Sequence, residues 1–281
     1  WIEEQGHSGY AWSVLGAAAQ ATSRLPLMTF VTCPTFRYHP AVVAQKAATM
    51  GILSGGRFTL GLGAGERLNE HVIGGGWPSA RIRHQRLAEA AEIIRDLFSG
   101  DYVNYSGRYF EVDHARLFDL PDTPVPISIA VSGPESIQVA VSHGDAMIAT
   151  EPDSELVSQY AQAGGKGRPR YGQLPLCYGP DEAACRARAR ELWRWAMPGW
   201  HVMAELPDER SFAAASEQVT EDEMAELVPC GPDTRRHVEA ARQWVEAGFT
   251  HLALVQVGAG QQAGFMEWAE SELLPELRKL G

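Results

Sequence analysis

What the chain lacks narrows its class before any motif does. No stretch of the 281 residues approaches about 18 consecutive apolar residues, so a membrane-spanning helix is not expected. Residue 1 is a tryptophan with no basic segment and apolar run behind it, so no secretory signal is read either. Basic residues are in deficit. With 24 Lys and Arg against 35 Asp and Glu, the net charge is −11, without the positive footprint that nucleic acid or an anionic membrane needs. Cysteine is sparse, and Cys33, Cys177, Cys185 and Cys230 form no C-x-x-C pair, which suits reduced thiols in a cytosol better than a disulfide framework. The 9 histidines are scattered without His-x-x-x-His spacing beside a carboxylate, so no metal is expected. The expected protein is soluble and cytoplasmic, with a small molecule rather than nucleic acid or membrane as its partner.

What is present points to an α/β enzyme. A 45% hydrophobic content over this length supports one large core, read as a single domain over residues 1–281. Thr59 to His71 reads Thr-Leu-Gly-Leu-Gly-Ala-Gly-Glu-Arg-Leu-Asn-Glu-His, a glycine-lined turn and a carboxylate directly after an apolar strand. Gly61, Gly63 and Gly65 remove Cβ atoms along one edge, where a flat ligand or a phosphate can approach the backbone. Beside an apolar ligand face, Glu66 would have a raised pKa and serve as general acid or base. The glycines equally suit a plain strand-to-helix turn, with Glu66 as a first-turn carboxylate favoured by the helix dipole.

Along the chain, strands are predicted at 27–31, 57–62, 125–130, 145–150, 173–178, 251–257 and, weakest, Glu226 to Pro229. Helices are predicted at 11–23, 41–53, 84–98, 135–143, 155–163, 181–196, 233–247 and 265–279. A hairpin insertion is read near 102–112, centred on Ser106-Gly107, and a lid or helical excursion near 197–221. Strands alternating with helices imply a parallel sheet, and these strands are one short of a closed eight-stranded barrel. The missing unit would belong in front of residue 1.

Three segments, Thr32-Cys-Pro-Thr-Phe-Arg-Tyr-His-Pro-Ala-Val-Val-Ala-Gln45, Gly61-Leu-Gly-Ala-Gly-Glu-Arg-Leu-Asn-Glu70 and Ala130-Val-Ser-Gly-Pro134, together resemble the luciferase-like flavin and deazaflavin superfamily. The resemblance runs from Trp1 to Leu280 and is strongest to the branch similar to coenzyme F420-dependent glucose-6-phosphate dehydrogenase. It implies a (β/α)8 TIM barrel, here N-terminally truncated and lacking its first strand, usually a homodimer, with the deazaflavin at the C-terminal mouth of the strands. It implies Glu66 as a proton-transfer residue, with Trp1 as a ring neighbour in the catalytic set. Cys33, Ala64, Gly65 and Asn69 would contact the cofactor ring region, and Ser132, Gly133, Glu135 and Ser136 its tail, where a helix N-terminus suits a phosphate. A non-proline cis peptide would fall at Phe30-Val31.

Two departures limit the transfer. The family's Asp-His pair, half of its proton machinery, lies in front of the tryptophan matched by Trp1 and so outside this chain. Of the sugar-phosphate site, Thr150 keeps the threonine, but Asp153, approximately His201, and Ala225 stand where cations are expected, and an aspartate repels a dianion. The implied activity is hydride transfer between coenzyme F420 and a small alcohol or ketone, not a sugar phosphate. An FMN-dependent monooxygenase and an inactive cofactor-binding barrel are the alternatives.

Smaller features read more plainly. His7 and His39 are loop histidines, for which surface roles are commoner than catalysis. Trp193, Trp195 and Trp200 suit either an aromatic lid wall or packing. Arg186, Arg188, Arg190 and Arg194 alternate with Glu191 as on a solvated helix face.

Overall fold

The computed structural model of the protein describes residues 7–281. In chain order the elements are α1 (Ala11–Ala21), β1 (Leu27–Met28), α2 (Pro40–Ser54), β2 (Phe58–Leu62), α3 (Arg67–Glu70), α4 (Ala80–Leu97), β3 (Val103–Ser106), β4 (Glu111–Ala115), β5 (Ile127–Ala130), α5 (Pro134–His143), β6 (Ala146–Ile148) and α6 (Ser154–Tyr160). They continue with β7 (Arg170–Leu176), α7 (Glu182–Trp193), α8 (Trp200–Met203), α9 (Glu209–Ala215), α10 (Glu221–Leu227), α11 (Thr234–Glu246), β8 (His251–Gln256), α12 (Gln262–Trp268) and α13 (Leu274–Leu277). Among the described residues no helix is long and apolar enough to cross a membrane. Two compact units form, one from the described residues up to Ile148 with Gln159–Arg168, the other from Ala149–Ser158 with Pro169–Gly281.

In the first unit β1, β2, β5 and β6 pair in that order, all parallel, in the registers Leu27↔Phe58, Leu60↔Ile127 and Ile129↔Met147. Leu60, Leu62, Ile127, Ile129 and Met147 are all buried, which is why these strands read as near-continuous apolar runs rather than alternating ones. Pro40 opens α2, and His39 caps it by accepting the Ala41 N–H at 3.2 Å. The capping role accounts for His39, one of the two loop histidines. Helix α4 buries Leu87, Ala90, Ala91, Ile94 and Leu97, the face predicted from spacing. The antiparallel hairpin β3–β4 is tied to α4 by Glu89, whose carboxylate accepts the N–H groups of Arg108, Tyr109 and Phe110 at 3.0, 2.9 and 3.2 Å.

In the second unit β7 and β8 run parallel from Tyr171↔His251 to Leu176↔Gln256. Helix α11 buries His237, Ala241 and Trp244, and the Trp244 indole lies where a Cβ on Gly172 of β7 would be. Two expectations are corrected here. Glu226 to Pro229 is not a strand: Glu221–Leu227 is helix α10, whose Thr220 and Glu223 form a reciprocal capping box, and only Cys230 makes an isolated parallel bridge, to Cys177. The arginines of α7 are not a solvated face. Arg186 and Arg236 both bond Glu182 Oε1, and Arg190 donates to the carbonyls of Val219 and Glu217, so the helix anchors the chain around α10. The region 201–221 is helical excursion, carrying α8 and α9, while Trp193 and Trp195 pack on each other at 4.8 Å and Trp195 Nε1 donates to the Leu192 carbonyl.

His237 is fully buried, with Nε2 2.9 Å from the Gly231 carbonyl, Nδ1 without a partner and the ring edge-on to Trp268. Burial holds its pKa below the ordinary 6.5, so the unfolded chain takes up the proton first as the solution is acidified. Its contribution to stability is therefore complete above pH 6.5 and is lost as pH falls from 6.5 toward the depressed folded-state value. Urea unfolding across this window is expected to show that loss, with a shallower fall in His237→Gln, whose amide can still donate to Gly231.

Candidate active site

The residues singled out in the three motifs fall, with the exceptions of Trp1 and Thr150, on two neighbouring strand-end turns of the first unit. The first turn is built by an unusual close approach. Thr29 Oγ1 donates to the Gly61 carbonyl and accepts the Gly61 N–H, both at 2.9 Å, and a Cβ at residue 61 would collide with the Thr29 carbonyl. The peptide Phe30-Val31 that follows is cis. Pairing then resumes, with Thr32 N–H on the Gly61 carbonyl at 2.8 Å and Gly63 N–H on the Thr32 carbonyl at 2.9 Å. At Gly63 a Cβ would press on Val31 Cγ2 at 2.6 Å, and Gly65 holds a φ of 94° that a side chain rarely adopts. These glycines are demanded by the backbone path itself.

Beyond the strand ends, Thr35 Oγ1 donates to the Ala64 carbonyl at 3.3 Å and Arg86 Nε to the Thr35 carbonyl at 2.6 Å. Glu66 caps no helix N–H; its Oε1 accepts the Asn69 amide at 2.6 Å, and its side chain is only half-buried. Glu70 is the buried carboxylate of the pair. It accepts the Arg37 N–H at 2.9 Å and faces the Arg37 guanidinium at 3.3 Å, locking the 32–38 loop onto the turn. Burial nevertheless outweighs these partners and pushes the Glu70 carboxyl above its ordinary value. Cys33, partly buried, has its thiol pushed well up, by burial first and then by the charges of Glu70 and Glu66, so it sits there as a neutral thiol. Glu70, Arg37, Thr29 and Thr35 were not singled out from the sequence, although all but Thr29 lie inside quoted motifs. What hides them is that their partners are about 29 to 33 residues away in the chain.

The second turn joins β5 to α5. Ser132 and Glu135 are exposed, Gly133 is half-buried, and Ser136 is buried. The Ser136 hydroxyl accepts the N–H groups of Ser132 and Gly133 at 2.9 and 3.2 Å and donates to the Gly133 carbonyl at 2.9 Å. It shapes the loop from inside, so the N–H groups of 132 and 133 point at Ser136 and not outward. Pro134 occupies the first helical position, a Cβ on Gly133 would meet open space, and Glu135 lies 3.2 Å from His84 Nδ1. Ser128, in register with Gly61, is fully buried with an unpartnered hydroxyl.

Thr150, in the second unit, is exposed just after β6. Asp153 accepts the N–H groups of Glu155 and Leu156 at 2.8 and 3.1 Å and so caps α6. Trp1 lies outside the described residues.

The model of the luciferase-like monooxygenase family matches residues 1–251. The chain belongs to this family. An F420-dependent glucose-6-phosphate dehydrogenase of Beutenbergia cavernae is 36% identical over 99% of the chain and 86% of its own length. An F420-dependent hydroxymycolic acid dehydrogenase of Mycobacterium tuberculosis is 35% identical over 99% of the chain and 78% of its own. Among solved structures, an F420-dependent secondary alcohol dehydrogenase in complex with an F420-acetone adduct superposes with a TM-score of 0.88, at 27% identity, over 99% of this chain and 87% of that one. The fold class is accordingly the luciferase-like TIM barrel, in which the ends of parallel strands carry the chemistry. In this luciferase-like protein both candidate turns follow such strand ends, β2 and β5.

Breaking the buried Arg37–Glu70 pair is expected to cost about 3 kcal/mol in Glu70→Ala, because it strands the guanidinium and an N–H group. Glu70→Gln should cost clearly less, since burial already favours a neutral side chain there and an amide oxygen still accepts the Arg37 N–H. Denaturant unfolding of the two variants checks the ordering.

Proposed function

We propose that the chain is an F420-dependent oxidoreductase that moves a hydride between the coenzyme and a small alcohol or ketone. The observation that carries this reading is the half-buried Glu66–Asn69 pair on the turn at the end of β2, beside the neutral Cys33 thiol. The relatives named above support a deazaflavin as the cofactor.

When bound, the deazaflavin supplies a hydride-accepting and hydride-donating carbon. The chain's part is to hold, orient and handle the proton. Cys33, Ala64 and Gly65 would line the ring, the neutral Cys33 thiol adding no charge to it. Asn69 Nδ2 steadies Glu66 through Oε1, and the Glu66 carboxylate would take or return the substrate's hydroxyl proton. The tail would run to the α5 N-terminus, where the positive end of the helix dipole favours an anion. There Ser132, Gly133 and Glu135 supply the rim and Ser136 keeps the loop open. Trp1 is proposed as a ring neighbour on the family resemblance, and a cytoplasmic homodimer likewise.

For the substrate, Thr150 is proposed as a contact, and a sugar phosphate is disfavoured by Asp153. Its carboxylate is fixed as the cap of α6 only a few residues on, a negative charge held in place against any dianion.

Titration with oxidised coenzyme F420 and, separately, FMN, followed by each ligand's fluorescence, tests the reading. Saturable binding of the deazaflavin alone is expected; preference for FMN would move the protein to monooxygenase chemistry, and binding of neither would overturn both. Glu66→Gln is expected to keep the affinity for F420 while slowing its reduction by about 10²–10⁴-fold. Secondary alcohols should be turned over and glucose 6-phosphate should not; the reverse pattern removes the role given to Asp153.

A further inference from the structure

Away from both candidate turns, the second unit buries Cys177, Cys185 and Cys230 in one apolar cluster with Met224, Val228 and Val257. None of these thiols serves the reading above. Two of them are placed by the backbone itself. Cys177 N–H donates to the Pro229 carbonyl at 2.9 Å, and Gly231 N–H donates to the Cys177 carbonyl at 3.0 Å, so Cys177 and Cys230 are direct partners in a parallel bridge. Adjacent rungs set Cα atoms about 4.8 Å apart with side chains on the same face. A disulfide accepts Cα separations of roughly 4.4–6.8 Å, a range that includes the usual spacing of directly paired residues.

The surroundings divide the two thiols into unlike roles. Arg188 Nη1, on α7, lies 3.7 Å from Cys177 Sγ and 4.0 Å from Cys185 Sγ. The guanidinium is itself held by packing, its Cδ lying where a Cβ of Gly258 would be. Cys177 is brought down to about 6, first by the hydrogen bond from Cys230 and then by Arg188, while the same hydrogen bond pushes Cys230 up. In the resting geometry Cys230 Sγ donates to the Val228 carbonyl at 3.2 Å and Cys177 Sγ to the Val257 carbonyl at 3.6 Å, and Arg188 favours loss of the proton from Cys177 rather than from Cys230. Cys185, raised by burial and by the charge on Cys177, sits on the helix and not on the bridged rung.

We infer that Cys177 and Cys230 are an oxidisable dithiol, which a small hydroperoxide converts into a Cys177–Cys230 disulfide. In the first step the Cys177 thiolate attacks the terminal peroxide oxygen. The O–O bond breaks, a sulfenic acid forms, and the leaving oxygen departs as water (or as an alcohol from an organic hydroperoxide) after taking up a proton. In the second step Cys230 gives its proton to the sulfenic oxygen and its sulfur attacks Cys177 Sγ, closing the S–S bond and releasing water. Two thiols lose two electrons, and the peroxide gains them. Neither cysteine exposes any surface, so oxidation needs a local opening of the cluster, which a small hydroperoxide requires to a lesser extent than a bulky thiol reagent or a protein disulfide does. This chemistry is independent of the coenzyme assigned above.

Treatment of the reduced, folded protein with hydrogen peroxide, followed by peptide mapping without reductant, is the test. A linked pair of peptides holding Cys177 and Cys230 is expected, and Cys185→Ser should link as readily. Cys230→Ser should stop at a sulfenic acid on Cys177 that dimedone traps, and Arg188→Met should slow oxidation by about tenfold as the thiolate fraction falls. Free thiols at both positions after treatment, or linkage through Cys185 instead, would overturn the inference. Because the wild-type chain gives that result directly, a variant that folds poorly leaves the test intact.

Discussion

The double hydrogen bond between the Thr29 hydroxyl and the backbone of Gly61 is the constraint on which the first turn depends. The backbone ladder from β1 runs as far as the Thr29 N–H, which donates to the Thr59 carbonyl at 3.3 Å, and at the next rung the Thr29 hydroxyl takes the Gly61 N–H in place of a backbone carbonyl. That substitution draws the two chains closer than any residue with a Cβ allows. The Phe30-Val31 peptide turns the chain there, and Thr32 rejoins β2 one rung later. Cys33 and the Gly63–Glu66 turn are thereby laid side by side, which neither sequence segment brings about alone.

Two carboxylates four positions apart, Glu66 and Glu70, then take opposite characters from their surroundings. Glu70 faces inward, is closed off from water, and joins Arg37 in holding the 32–38 loop. Glu66 is only partly buried and accepts from Asn69, which can follow it through a change of protonation. A group that must exchange a proton needs a path to solvent or substrate, whereas a group that locks a loop must not be free to leave its partner. The division of labour proposed for the pair follows from burial rather than from residue type.

Sequence reasoning reached those features whose cause is local. The glycine turn, the Pro40 helix start, the apolar face of α4 and the buried parallel strands each arise from residues within a few positions, so their pattern is visible in the chain. The cis peptide came only from the family resemblance, since nothing in Phe-Val marks it. Where the reading failed at 226–229, the signal was nonetheless present: Thr220 followed by Glu223 is a capping box, and it starts a helix that runs through Leu227. Just beyond Pro229, Cys230 does bridge to Cys177, which directly follows β7. Features made by distant partners, such as Arg37–Glu70 and Ser136 beneath its loop, left no comparable pattern.

The α7 arginines show most clearly why a charge pattern underdetermines its role. Arg186, Arg188 and Arg190 alternate along one helix, and counting charges alone assigns them a common solvated face. Each instead meets a different chemical need created by tertiary structure. Arg186 joins Arg236 on Glu182, Arg190 satisfies carbonyls of Glu217 and Val219 that the break between α9 and α10 leaves without helical partners, and Arg188 lies against two sulfurs. Guanidinium suits all three because its donors are fixed in a planar fork and its charge is weakly hydrated, so partial burial costs it less than it would cost an ammonium. Lysine at these positions would preserve the sequence pattern of alternating charge and lose the geometry that makes each contact.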